Sequence, residues 1–439
     1  MRLPLFGGSM IVRARRHLAS LLLVASVGAA QSLPAHDARI DALLARMTLE
    51  EKLGQLTQYT GSKPELEALV AKGLVGSVFG FGGAAETNAL QTIALEKSRL
   101  GIPLLLGHDV IHGYRTIFPN PLAIAATWDP PSAEIAARTA AIEARAAGLR
   151  WTFAPMVDIA RDPRWGRIAE GAGEDPFLGA AMARAQVRGF QGTDLAREDA
   201  IMACAKHFAG YGAAEAGRDY NTTDMSDRTL REIYLPPFRA AVDAGAGSLM
   251  SAFNALNGVP ATANRYLLDQ VLRREWGFTG FVVSDFDAVA QLIPHGVAAT
   301  KEEAAIKAIS AGVDMNMVDA SFTTLAAAVR AGRIAESTID QAVRRVMRAK
   351  AKVGLFDRPL VTPDAEARAI LLPAHRDAAR RVAEKAVVLL KNEGSLLPLS
   401  KDLRSIALIG PFVDDGDEML GSWHAMGKGE DAITILEGI

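Results

Sequence analysis

A parallel α/β fold is predicted: a (β/α)8 TIM-like barrel followed by the start of a truncated α/β sandwich domain. Three observations carry this reading. Short, nearly continuous apolar runs alternate with Ala-rich helical stretches between residues 48 and 355. The runs have the length and composition of strands covered on both faces. Polar residues stand just past their C-terminal ends, where barrels build their sites. The expected boundaries are a signal peptide over 1–30, the barrel over 31–357, a linker over 358–383 and the first part of the second domain over 384–439.

The elements follow in order. Arg13, Arg15 and Arg16 precede the apolar run 18–27 and the small residues Gly28, Ala29 and Ala30. This is the pattern of a secretory signal peptide, with Met1 or Met10 as its start, and it implies a periplasmic or secreted protein. The run is too short to span a membrane. Thr48-Leu-Glu-Glu51 is a capping box that opens a helix. Seven runs read as strands: Val75–Phe81, Pro103–Asp109, Trp151–Asp158, Ala203–Phe208, Ser248–Phe253, Phe281–Asp285 and Val313–Met317; an eighth strand is uncertain. Helical stretches lie between them, at Ala133–Leu149, Phe177–Phe190, Leu230–Ala244, Tyr266–Glu275, Glu302–Ala311 and Leu325–Ala331. Beyond residue 355, Ala374–Val387 reads as a helix and Ser405–Gly410 as a buried strand. So short a stretch does not complete a doubly wound domain, and the chain is expected to be cut within one.

Composition narrows the chemistry. The 439 residues are 49% hydrophobic and 22% charged, an ordinary globular texture. Forty-eight Lys and Arg against 50 Asp and Glu leave a net charge of −2, which points to neither nucleic acid nor an anionic membrane as partner. The single cysteine, Cys204, excludes an intramolecular disulfide and reads as a small core residue. HExxH, P-loop and strand-linked GxGxxG motifs are missing, and Gly80–Gly83 is a lone Gly-rich turn, so no metal or other cofactor is expected.

Asp109, Asp158, Lys206-His207, Asn254 and Asp285 each fall at or just past a strand end. In Gly280-Phe-Val-Val-Ser-Asp285-Phe-Asp287, an apolar strand delivers a carboxylate to its end. Such a group can act as nucleophile at a glycosyl centre. The competing role, capping the next helix, can fall to Asp287. Lys206 and His207 are adjacent, so both reach one site only if their strand ends or bulges there, as Gly210 and Gly212 suggest. Arg161-Asp-Pro-Arg-Trp-Gly-Arg167 offers guanidinium donors and an indole face for a sugar, or plain surface ion pairs.

Together with Gly107-His-Asp-Val-Ile-His-Gly113, Glu170-Gly-Ala-Gly-Glu-Asp175 and Val387-Val-Leu-Leu-Lys-Asn392, these motifs stand in an order that resembles glycoside hydrolase family 3, in particular its periplasmic bacterial β-glucosidases. The likeness runs from about Thr48 to the end. It implies a barrel followed by an α/β sandwich, a small-molecule carbohydrate substrate and retaining release of terminal β-D-glucose. By motif, Asp285 is the nucleophile, while Asp109, Arg167, Lys206 and His207 bind the sugar. Two departures stand out. Phe253 occupies a position where many members carry Tyr, and the matching region for the family's acid/base Glu lies beyond Ile439. The loop Ala209–Asp219 has no His, which argues against the hexosaminidase branch. Rival readings are a β-xylosidase or other exo-β-glycosidase, a Schiff-base lyase using Lys206, and a non-catalytic sugar-binding protein.

Overall fold

Among the described residues ten strands follow in order: β1 (Thr57–Thr60), β2 (Ser77–Phe79), β3 (Leu105–His108), β4 (Trp151–Thr152), β5 (Cys204–Phe208), β6 (Ser248–Ser251), β7 (Ala255–Leu256), β8 (Val259–Pro260), β9 (Phe281–Val283) and β10 (Asn316–Met317). The structure, a computed structural model, describes residues 36–61, 64–80 and 82–439. The expected signal peptide and Phe81 of the Gly-rich turn lie outside these. Two units separate, Met1–Arg46 and Met47–Ile439, and the second holds every strand.

Among the described residues, all strand ladders but one are parallel. One sheet has the order β10-β1-β2-β3-β4 and another β5-β6-β9, while β7 and β8 form a small antiparallel hairpin. Isolated parallel bridges, Trp151 with Met202, Met156 with Lys206 and Val283 with Met315, run between the edges of the two parallel sheets. Parallel strands need helical crossovers. These are supplied by helices such as Pro130–Ala146, Pro176–Gln191 and Lys301–Ala311.

Local chemistry sets the ends of these elements. The Thr48 hydroxyl accepts from Glu51 N, and the Glu51 carboxylate accepts from Thr48 N, the reciprocal box expected. Asp175 accepts from Leu178 N ahead of Pro176, which has no N–H to lose at the first helical position. The stretch Trp151–Asp158 forms a ladder only at its start, because Pro155 has no N–H to donate. Its carbonyls still pair with β5, as Cys204 N donates to Ala154 O and Lys206 N to Pro155 O, and Val157 N in turn donates to Lys206 O.

The strand that apolar reading left uncertain is β1, Thr-Gln-Tyr-Thr. Its inward groups are polar: Gln58 Nε2 donates to Ser77 Oγ at 2.7 Å, which donates to Leu105 O at 2.6 Å. A hydrogen-bonded relay thus fills an interior position where an aliphatic side chain was sought. Farther round, Trp151 of β4 donates its indole N–H to Ser248 of β6 and packs 5.0 Å from the ring of Phe281 on β9. The two parallel sheets therefore share an interior. At the opposite end of β9 from Asp285, buried Asp314 accepts from Val282 N and from Arg273 and Arg345, fixing that strand to two helices.

The C-terminal part corrects one expectation. Helix Pro373–Ala386 packs Ala378 and Val382 into a cluster with Phe118, Ile124 and Leu178. Ser405–Gly410, expected as a buried strand, makes no ladder, and Ile409 is 92% exposed. A run of apolar residues becomes a strand only when neighbouring strands take its N–H and C=O groups. Among the described residues none pairs with it.

Gly212 lies where two backbones touch: a Cβ there would meet Ile159 O at 2.2 Å. Gly212→Ala should therefore lower stability by about 1–3 kcal/mol or more, the usual cost of overpacking. Urea unfolding with an unchanged m-value checks this; a midpoint equal to that of the parent would refute it.

Candidate active site

The C-terminal ends of β3, β5 and β9, with the segments that follow them, bring the charged groups together. The β5–β6 register shifts between Ala205 and Phe208. Gly210 follows with φ +84. This is the break in regular alternation that lets two adjacent side chains reach one site.

Asp285 follows β9. Its Oδ1 accepts from Phe286 N at 2.7 Å, while its Oδ2 is buried without a hydrogen-bond donor. His207 Nε2 stands 3.4 Å from that oxygen. The imidazole cannot serve as the missing donor, because its proton is committed on the other side. Asp158 Oδ2 accepts from both His207 N, at 2.9 Å, and His207 Nδ1, at 2.8 Å. That leaves Nε2 as an acceptor, 3.2 Å from Arg167 Nη2. Burial drives His207 well below its ordinary range, and the Arg167 and Lys206 charges add to this, so the ring is neutral.

Each cation has a carboxylate. Arg167 is held by Glu170 through two bonds, at 2.7 and 3.0 Å. This fork fixes the plane of the guanidinium and aims the second N–H of Nη2 at His207. Lys206 Nζ donates to Asp109 Oδ1 at 2.6 Å, with Asp109 the more open of the two. Burial pushes Asp285 up to about 7, opposed first by Lys206 and then by Arg167. Burial also raises Asp158 to about 8, against the N–H of His207.

All five residues chosen from sequence, Asp285, Asp109, Arg167, Lys206 and His207, thus belong to one linked cluster. Asn254 does not extend it: its side-chain amide donates to Thr223 Oγ1 and ties down the preceding loop. The sugar-stacking role considered for Trp165 fails, since the ring is fully buried, packs on Tyr211 and donates to Asp219. Sequence reading assigned no partner role to Asp158 or Glu170. Glu170 stands three residues after Arg167, a spacing that signals a local ion pair. Phe253 lies 6.4 Å from the His207 ring and 4.6 Å from that of Tyr220. Among the described residues, no group of three or more His, Cys, Asp or Glu is arranged to hold a metal ion, and no helix is long and apolar enough to cross a membrane.

Parallel strands that gather a buried carboxylate, two paired cations and a neutral imidazole at their C-terminal ends define a small-molecule site of an α/β protein. Residues 48–349 match the family described as "Glycosyl hydrolase family 3 N terminal domain", and residues 387–439 match "Glycosyl hydrolase family 3 C-terminal domain". The chain belongs to glycosyl hydrolase family 3. It is 41% identical over 420 residues to a periplasmic beta-glucosidase of Salmonella typhimurium, covering 92% of this chain and 54% of that protein. It is 36% identical over 430 residues to a beta-xylosidase of Formosa agariphila, covering 92% and 55%. The crystal structure of a beta-glucosidase from Listeria innocua in complex with isofagomine superposes with a TM-score of 0.87 at 40% identity, over 91% of this chain and 58% of that one. The chain spans about half the length of the curated relatives it matches.

The electrostatics can be tested directly. Difference infrared spectra against Asp285→Asn should show the Asp285 carboxyl half-protonated at a pH of about 7, not in the ordinary range of about 4. Lys206→Met removes the leading opposing charge, so the midpoint should move up. A midpoint unmoved by that change would contradict the assignment.

Proposed function

We propose that this chain carries the sugar-binding and nucleophile half of a retaining β-glucosidase, releasing terminal β-D-glucose from β-glucosides and short gluco-oligosaccharides. The observation that carries the reading is Asp285 Oδ2: buried, lacking a donor, and flanked by Lys206 and Arg167. A retaining mechanism needs a carboxylate that attacks the anomeric carbon and is then released from the ester by water. An oxygen already bound to donors is a poorer nucleophile. This one is open, and ester formation removes its charge from a site where burial disfavours charge.

The other residues take roles by position. Asp109 accepts hydrogen bonds from sugar hydroxyls, held in place by Lys206, and a site that pairs an OH rejects analogues lacking it. Arg167 and His207 line the same ring. Asp158 keeps the imidazole in its Nδ1–H tautomer, and Glu170 orients the guanidinium.

In this reading the two parallel sheets are one (β/α)8 barrel over 31–357; the bridges between their edges and the shared Trp151 support it. Residues 358–383 connect it to a second domain that begins at 384, and residues 1–30 are the signal peptide of a periplasmic or secreted protein. A periplasmic relative supports this export. The β-xylosidase relatives make xylose the rival glycone, so comparing kcat/KM for aryl β-glucoside and β-xyloside belongs with the tests.

An activated 2-fluoroglucoside should label the protein at Asp285 and leave Asp285→Asn unlabelled. Labelling at Asp287 or Glu170 would refute the nucleophile. The nearby carboxylates Asp109, Asp158 and Glu170 are engaged with Lys206, His207 and Arg167. Asp158 is also buried against His207, and none of the three is assigned the leaving-group proton.

General acid–base help is worth about 10²–10⁴-fold. The 439-residue chain, once shown folded by circular dichroism, should therefore barely hydrolyse cellobiose. A dinitrophenyl glucoside needs no protonation and should give a burst. Azide, which needs no base, should then restart turnover as β-glucosyl azide. Brisk cellobiose hydrolysis would place an acid within these residues, with Glu170, Glu174 and Glu215 the candidates.

A further inference from the structure

Glu143, near the end of helix Pro130–Ala146, stands outside the charged cluster, yet its side chain is fully buried. Its Oε2 accepts from Arg115 N at 3.0 Å and from Thr116 N at 2.8 Å. Its Oε1 accepts from Thr116 Oγ1 at 2.6 Å, Leu371 N at 3.0 Å and His375 Nδ1 at 3.0 Å. The first three donors belong to the loop that follows β3. The other two belong to the connecting segment, at the entry to helix Pro373–Ala386. One carboxylate thus grips two stretches of chain far apart in sequence.

The loop it grips is closed on itself. Phe118 N donates to His112 O at 2.8 Å, Gly113 bridges Ile117, and a Cβ at Gly113 would meet Thr116 O at 2.2 Å. So compact a loop shifts as one body. At its root stands Asp109, which accepts from Lys206. There the neighbouring Val110 N donates to Thr152 Oγ1 at 3.2 Å, the limit of ordinary length. The firmer hold is at the far end, on Glu143.

Stability alone gives no reason for a carboxylate in this place. Taking a charge out of water is costly, and packed apolar side chains join segments without that cost. What directed bonds add is a fixed relative position of loop and connecting segment.

We propose that Glu143 is a positioning residue of the glycone site, clamping the 109–118 loop to the connecting segment so that the placement of Asp109 depends on both. This rests on the glycosidase reading above, in which Asp109 binds sugar hydroxyls.

The decisive variant cuts the clamp on the side that does not belong to the loop. His375→Ala removes one donor, and His375→Asn returns an amide N–H near the place of Nδ1. In the 439-residue chain, His375→Ala should weaken glucose binding in titration calorimetry by about tenfold, as a displaced binding group does. The dinitrophenyl glucoside concentration that half-saturates the burst should rise by the same factor. The burst rate constant at saturation should stay within about twofold of the parent, since the reacting carboxylate is untouched. His375→Asn should recover most of the loss. Glu143→Gln, which turns an acceptor into a donor facing donors, should show the same split more strongly. Asn88 ties the connecting segment elsewhere, donating to Val361 O at 2.8 Å and accepting from Val361 N at 3.0 Å. Asn88→Ala should therefore lower the melting temperature and leave glucose affinity unchanged.

Coupling of this kind is reciprocal. Saturating glucose should slow hydrogen exchange at the Leu371 and Thr116 amides of the parent, a readout that needs no variant and holds even if His375→Ala does not fold. Exchange unaltered by glucose, affinity unchanged in a folded His375→Ala, or an equal loss in Asn88→Ala overturns the inference alone. So does a fall in the burst rate constant with half-saturation unmoved. A parent that neither binds glucose nor gives a burst overturns the glucosidase reading and this inference with it.

Discussion

A carboxylate oxygen buried without a donor is the constraint around which this site is arranged. Left alone in an apolar interior, Asp285 would take up a proton and could not serve as the nucleophile proposed for it. Paired directly with Lys206 or Arg167, it would be charged but occupied. The site takes neither course. Both cations stand near enough to oppose the effect of burial on Asp285, yet each gives its short bonds to another carboxylate, Lys206 to Asp109 and Arg167 to Glu170. The charges are satisfied, and the oxygen stays open.

That arrangement makes demands on the scaffold. Asp109, His207 and Asp285 come from chain positions more than 75 residues apart, so a short-range motif cannot hold them. Parallel strands held in register by the ladder do so. Their far ends are anchored by contacts such as that of Asp314 with Arg273, Arg345 and Val282 N. The shift between Ala205 and Phe208 then spends one irregularity of the ladder to aim Lys206 and His207 together. Burial of His207 in its neutral form matters equally. A second proton on the ring would turn Nε2 into a donor to Asp285 and close the oxygen that is now open.

The C-terminal segment behaves differently from the strands. Helix Pro373–Ala386 contributes Ala378 and Val382 to a packed cluster, and the turn around Trp423 is fixed by carbonyl and amide contacts. Between them, Val387–Leu390 and Ile409 expose large apolar side chains. The family's C-terminal domain match covers this stretch, so the kinship is plain even where no ladder forms.

Much of the molecule was legible in the sequence because its signals are local. Apolar runs of strand length identified most of the parallel strands, the Thr48–Glu51 box marked a helix start, polar residues at strand ends pointed to Asp109, Lys206, His207 and Asp285, and the loop motif ending in Arg167 supplied the fifth member of the cluster. β1 escaped because its inward side chain is Gln58, whose hydrogen bond across strands does the work sought from an aliphatic residue, while Thr57 on the other face donates to Leu53 O of the preceding helix. Trp165 looked available because a loop motif carries no information on burial. The sequence by itself determined the order of the elements and which chemical groups stand at the strand ends, since periodicity and composition are properties of neighbours in the chain. Tertiary structure alone decided which carboxylate each cation takes, which tautomer His207 holds and whether Trp165 lies open or buried, because those choices depend on distances between residues tens to hundreds of positions apart.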